Sequence, residues 1–177
     1  MFARLPLVVV AALFAAAMAL AGEESTRTSV VDVESASRAA GVKGAWRITE
    51  QWSRSRGGVW TAAATPYLSI YIFTDKHYSY MFAPGQGPRR LFADGPNQPT
   101  NAEKVAAYDT FVAASGSYAL IGSTLMLNAV LHKNPNEMTG HPLKYIVELG
   151  DNSLRMTIDN PPFAPGIERR TVLARIE

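Results

Sequence analysis

The chain of 177 residues contains no cysteine. Disulfides are therefore excluded, so a packed core alone must hold the fold. A thiolate nucleophile and cysteine-based zinc or iron-sulfur centres are excluded with them. Net charge is nearly absent: 17 Lys and Arg stand against 15 Asp and Glu, a formal +2. Loss of Arg4 with the N-terminal leader leaves about +1, too little to draw nucleic acid or acidic substrates. Histidine is scarce. His77, His132 and His141 lack the close spacing of a metal site, and neither metal nor cofactor is expected. There is no phosphate-cradling glycine loop, no Gly-x-Ser-x-Gly elbow and no internal repeat, so nucleotide-binding, serine hydrolase and redox chemistry lack support.

Only one long hydrophobic run is present, and it lies at the start. Arg4 supplies a positive flank, Leu5 to Leu20 is apolar apart from Pro6, and Ala19 and Ala21 are the small residues a signal peptidase requires. At about 16 residues the run is shorter than the roughly 20 a membrane span needs. Residues 1–21 are therefore expected to be a signal peptide cleaved after Ala21, giving a secreted or periplasmic protein with no transmembrane span in its mature chain. Residues 22–42 are small and polar with little periodicity, and read as a flexible arm with a helical turn over Glu34 to Ala40. A single domain follows over residues 43–177, long enough to bury a substantial core.

That domain reads as strand after strand. In Gly44 to Trp52 the residues Trp46, Ile48, Glu50 and Trp52 share one parity, and residues two apart on a strand face the same way. Val59 to Ala64 is a short second strand. Tyr67 to Phe73 and His77 to Phe82, rich in aromatic and β-branched residues, form a hairpin. Tyr118 to Ile121, Thr124 to Lys133, Leu143 to Leu149, Ser153 to Asp159 and Glu168 to Ile176 follow, separated by Gly, Asn and Pro turns. About nine short, evenly spaced strands indicate an antiparallel sandwich or barrel.

Two features interrupt the strands. Residues 83–99 hold four prolines and three glycines, which exclude regular structure over most of the stretch. A loop of that length in a compact domain is functional or mobile. Thr100 or Asn101 then caps a helix with Glu103 in its first turn. Val105, Ala106, Tyr108, Phe111, Val112 and Ala113 form its apolar face, and it is expected to end near Ser115-Gly116.

Several local patterns resemble those of the lipocalin-like domain family, within the wider group of calycin barrels. They are Gly44-x-Trp46 opening the first strand, Tyr78-Ser79-Tyr80-Met81 in the aromatic hairpin, and Gly116-Ser117-Tyr118 after the helix. Asn134-Pro135 after a long strand and Leu149-Gly150-Asp151-Asn152-Ser153-Leu154 between late strands complete the set. The resemblance covers Gly41 to the C-terminus. It implies a mainly β, antiparallel up-and-down barrel of roughly eight to ten strands with one helix, and a small hydrophobic or amphipathic ligand inside. It also implies that a last-strand arginine (Arg169, Arg170 or Arg175) covers the indole of Trp46. The helix precedes the late strands, whereas the main lipocalin helix comes late, which favours the looser lipocalin-like group.

Candidate ligand contacts follow from parity and composition. In Thr124 to Lys133 the set Thr124, Met126, Asn128, Val130 and His132 alternates with Leu125, Leu127, Ala129 and Leu131, and mostly apolar walls with a few placed polar groups make a small-ligand site. The alternative is that Asn128 and His132 face solvent. Trp60, Tyr71, Tyr80 and Tyr145 represent the aromatic set that favours a wide apolar interior. Glu50, on the parity of Trp46, is either at a wet rim or buried with a partner such as Arg155, which also suits a ligand carboxylate. The candidate site is thus Trp60, Tyr71, Tyr80, Met126, Asn128, His132, Tyr145 and Arg155. Two other readings stand beside the binder: an isomerase, cyclase or hydratase acting on a lipid, isoprenoid or polyketide through Glu50, His132 or a tyrosine, and a ligand-free envelope module with a filled interior.

Overall fold

A computed structural model describes residues 41–85 and 87–177. The expected leader, the arm up to residue 40 and its helical turn lie outside the described residues. Among the described residues there are nine strands: β1 (Gly44–Ser55), β2 (Thr61–Ala62), β3 (Leu68–Phe73), β4 (His77–Ala83), β5 (Val112–Ile121), β6 (Thr124–His132), β7 (Leu143–Leu149), β8 (Ser153–Asp159) and β9 (Ile167–Arg175). β1 pairs with β3, from β3 to β9 each strand neighbours the next in an antiparallel meander, and β9 pairs with β1 from Trp46↔Arg175 to Ser55↔Ile167. That last pairing closes the sheet. The result is a lipocalin-like up-and-down barrel of eight strands, with β2 as an extra ribbon on the end of β1.

Closure gives each of the eight barrel strands a partner on both sides and sends one face of each inward. Trp46, Leu125, Leu127, Leu154 and Leu173 are fully buried, with Phe73, Tyr78, Val147 and Met156 packed among them. They crowd one end of the barrel, where Val42 is also fully buried and its carbonyl accepts the Trp46 indole N–H at 2.9 Å.

The helix is shorter than its apolar pattern implies. α1 (Asn101–Asp109) starts with a capping box in which Thr100 accepts from the Glu103 N–H and the Glu103 carboxylate receives the Thr100 N–H. The Ala93 N–H, the Thr100 N–H and the Thr100 hydroxyl, each donating to it, hold the Glu103 carboxyl below its ordinary value. The helix stops at Thr110, and Val112 and Ala113 already belong to β5. Val112, Ala114, Gly116, Tyr118 and Leu120 recur every second residue and face the interior. The same letters satisfied a helical period only because the short run of alanines fits both. Among the described residues no helix is long and apolar enough to cross a membrane.

Candidate binding cavity

One end of the barrel is sealed by a small set of contacts. Arg175 lies with its guanidinium 4.1 Å from the centre of the Trp46 ring and donates to the carbonyls of Gly41, at 2.6 Å, and Lys43. Of the three arginines expected to cover the indole, Arg175 does so because it is the residue paired with Trp46 across the closing seam. Gly44 is needed here. Its φ of 124° belongs to glycine, and a side chain would strike the C-terminal backbone and Arg175.

The other end is open. From it a cavity of about 580 Å³ runs into the barrel, bounded within by Tyr67, Tyr71, Tyr80, Phe82, Tyr145, Met156 and Ile158. Its mouth is formed by Pro84 of the long loop, Tyr108 of α1, Lys133, Glu137 of the short 3-10 turn Pro135–Glu137, Phe163 and Arg169. The loop and helix therefore reach the barrel's open end. Lys133 anchors the helix there: its ammonium sits 3.7 Å from the centre of the Tyr108 ring and donates to the Tyr108 carbonyl.

The wall made by β3 and β4 is a ladder of parallel rings. Tyr71 and Tyr80 stack at 5.1 Å, Tyr80 and Phe82 at 5.8 Å, and Tyr67 and Phe82 at 5.9 Å. Alternation on the two hairpin strands places these rings on the same face, where cross-strand aromatic pairs reinforce each other. β5, paired directly with β4, continues this wall with the smaller Val112 beside Phe82, and β6 adds His132.

Two bulges decide which polar groups enter the cavity. In β1 the register shifts between Ile48 and Glu50, so the inward succession runs Trp46, Ile48, Gln51. Glu50 is exposed and accepts from the Trp52 indole at 3.0 Å. This corrects the expected shared face of Trp46, Ile48, Glu50 and Trp52: an extra residue reverses the parity, and Gln51 takes the interior place. In β6 the partner of Ser115 is Leu131 and that of Gly116 is Ala129, so Val130 is the extra residue. Leu125, Leu127 and Ala129 face in, Val130 and Leu131 turn out at 73% and 67% exposed, and His132 turns in.

Of the eight candidate residues, Tyr71, Tyr80, His132 and Tyr145 come together around the cavity. Met126 and Asn128 do not, because the bulge separates their parity from that of His132. Arg155 is on the outside, bound to Glu148 at 2.7 Å, which corrects its imagined pairing with Glu50. Trp60 lies away from the lining, between the guanidiniums of Arg54 and Arg170 at 4.4 and 4.3 Å. Sequence reasoning missed Gln51, Tyr67, Phe82, Tyr108 and Arg169 as lining residues. Tyr67 and Phe82 were legible from the parity of Tyr71 and Tyr80.

The tyrosines are held neutral. Burial pushes the Tyr71 and Tyr80 phenols far above the ordinary value, and the proximity of Tyr145 pushes them further. Burial does the same to Tyr145, and pushes Tyr78, one layer deeper, up to about 12. Each phenol therefore stays an O–H donor across the working pH range. The class that fold and site define is a closed lipocalin-like barrel with a blocked base, an open mouth and an aromatic cavity. No family model matches the chain, and no curated protein or solved structure matches it.

Proposed function

We propose that this protein is an exported lipocalin-like carrier that holds one small hydrophobic or amphipathic ligand inside its barrel. The observation carrying this reading is the cavity: about 580 Å³, open at one end and walled mainly by rings and aliphatic side chains. Small-molecule sites run to roughly 300–1,000 Å³ with that balance of apolar wall and sparse polar groups. A ligand-free module filled by its own aromatics would leave no such space. The Arg175 cover over Trp46 supports the family resemblance, because the resemblance requires a last-strand arginine at that place. Export rests on Arg4, the apolar run to Leu20 and the small residues Ala19 and Ala21. An acid-base pair of Glu50 with His132 has no support, since Glu50 is exposed.

Val112 tests the reading, because it lines the cavity opposite Phe82. Val112→Trp places an indole in the space a ligand would occupy. Its affinity for 11-(dansylamino)undecanoic acid, measured by calorimetry, is expected to fall at least tenfold while the melting temperature stays within a few degrees. Unchanged affinity in a folded variant would place the probe outside the barrel and count against the carrier reading.

A further inference from the structure

The polar groups inside the cavity have a common sense. The side-chain hydrogen bonds among the described residues leave the hydroxyls of Tyr71, Tyr80 and Tyr145 without a protein partner, and all three residues line the cavity. Gln51 is oriented by its neighbours: its side-chain oxygen accepts from the Tyr67 N–H at 3.3 Å, which leaves the amide NH₂ for the interior. His132 is set in the same way. Its Nδ1 lies 3.0 Å from the Asn134 backbone nitrogen and 3.1 Å from the Asn134 carbonyl oxygen, so the ring is fixed against that backbone. Three phenols thus hold unpartnered O–H donors in a largely apolar space, and the amide NH₂ of Gln51 adds to them.

Donors left unmatched in such a space are costly, and each costs more than a satisfied bond returns. The carboxylate of Glu137 sits at the mouth, whereas Tyr71 and Tyr80 belong to the interior stack. From this we infer that the ligand carries a neutral hydrogen-bond acceptor, a carbonyl or ether oxygen, received by Tyr71, Tyr80 and Tyr145 inside the barrel. This deepens the carrier reading and rests on it. Charge at the inner end is disfavoured for two reasons: a carboxylate loses its hydration there, and the cations of the lining are held against other rings, Lys133 on Tyr108, Arg169 on Phe163 and Arg170 on Trp60. A neutral oxygen loses little hydration and gains a donor already in place. The stacked rings beside the hydroxyls supply the contact surface for a flat, unsaturated or ring-bearing body.

Three probes of nearly one shape separate the possibilities: 2-acetylnaphthalene, which carries a carbonyl; 2-ethylnaphthalene, which carries none; and 2-naphthoate, which is charged. Calorimetry on the wild-type protein is expected to give at least tenfold tighter binding of the ketone than of the hydrocarbon. Tyr71→Phe, Tyr80→Phe and Tyr145→Phe are each expected to weaken the ketone three- to tenfold and to leave the hydrocarbon unchanged. The hydrocarbon doubles as a control for folding, since a collapsed cavity would lose both. Equal affinity for ketone and hydrocarbon, or no effect of any tyrosine variant on the ketone, overturns the inference while the carrier reading stands. Tightest binding of naphthoate, lost in Arg169→Gln, overturns it in favour of an anionic ligand held at the mouth. Failure of all three probes to bind counts against the carrier reading itself, and the inference falls with it.

Discussion

Replacing Trp46 by alanine is expected to cost about 4 kcal/mol of stability, within the range for deleting a large buried aromatic. The indole is completely buried, donates to the Val42 carbonyl and lies under the Arg175 guanidinium. Its loss empties the base of the barrel and leaves a buried carbonyl without a donor. It also removes the ring against which Arg175 joins the end of β9 to the backbone before β1. For a domain of this size the melting temperature is expected to drop by roughly 8–16 °C. Trp46→Phe separates the two contributions. It keeps most of the buried ring and loses the N–H, so its cost is expected to be about 1–2 kcal/mol, the penalty for one unsatisfied buried acceptor. Denaturant unfolding followed by circular dichroism checks both values. A cost below about 1 kcal/mol for Trp46→Ala would mean that the plug does not hold the barrel shut.

Gly116→Ala is expected to be nearly as damaging, at about 3 kcal/mol, the upper part of the range for forcing atoms into a packed place. Its backbone angle is ordinary, so conformational freedom is not the reason glycine stands there. The reason is contact. At the β5–β6 bulge the backbone of β6 crosses so close that a Cβ would run into the Asn128 carbonyl and the Val130 N–H. Both are backbone atoms that cannot rotate away, so the bulge itself must move. Since that bulge turns His132 inward, the variant is expected to lose the distinctive imidazole environment along with roughly 6–12 °C of melting temperature. The chemical shifts of the His132 ring protons at fixed pH read the first effect and thermal unfolding the second. An unchanged His132 resonance in a destabilised protein would uncouple the bulge from the cavity.

These two positions also show how much could be read without coordinates. The barrel was legible because nearly every strand is short, aromatic or β-branched, and ended by glycine, asparagine or proline. Leu143–Leu149 and Ser153–Asp159 needed no adjustment at all. The plug was legible from Gly44-x-Trp46, although choosing Arg175 over Arg169 and Arg170 required the seam register. The cavity wall was legible only in part. Parity is a sound guide while a strand stays in register, and it correctly joined Tyr71 with Tyr80. It failed at Glu50 and again between Asn128 and His132, because one extra residue inverts every face beyond it and leaves no mark in composition. Gly116 was the available clue to the second bulge, read as a strand opening when it was a point of close backbone approach. The end of the helix failed for a related reason. Val112 and Ala113 fit both periods, and tertiary pairing with β4 decided between them.

Whether the barrel holds a ligand is answered most directly by native mass spectrometry of the protein purified from its own host, followed by denaturing analysis of whatever is released. A carrier is expected to show a reproducible adduct of one lipophilic molecule per chain, absent after denaturation and reduced in Val112→Trp. A bare polypeptide mass in every preparation, together with no uptake from a panel of fluorescent fatty acids, would contradict the carrier reading and leave the cavity without an occupant.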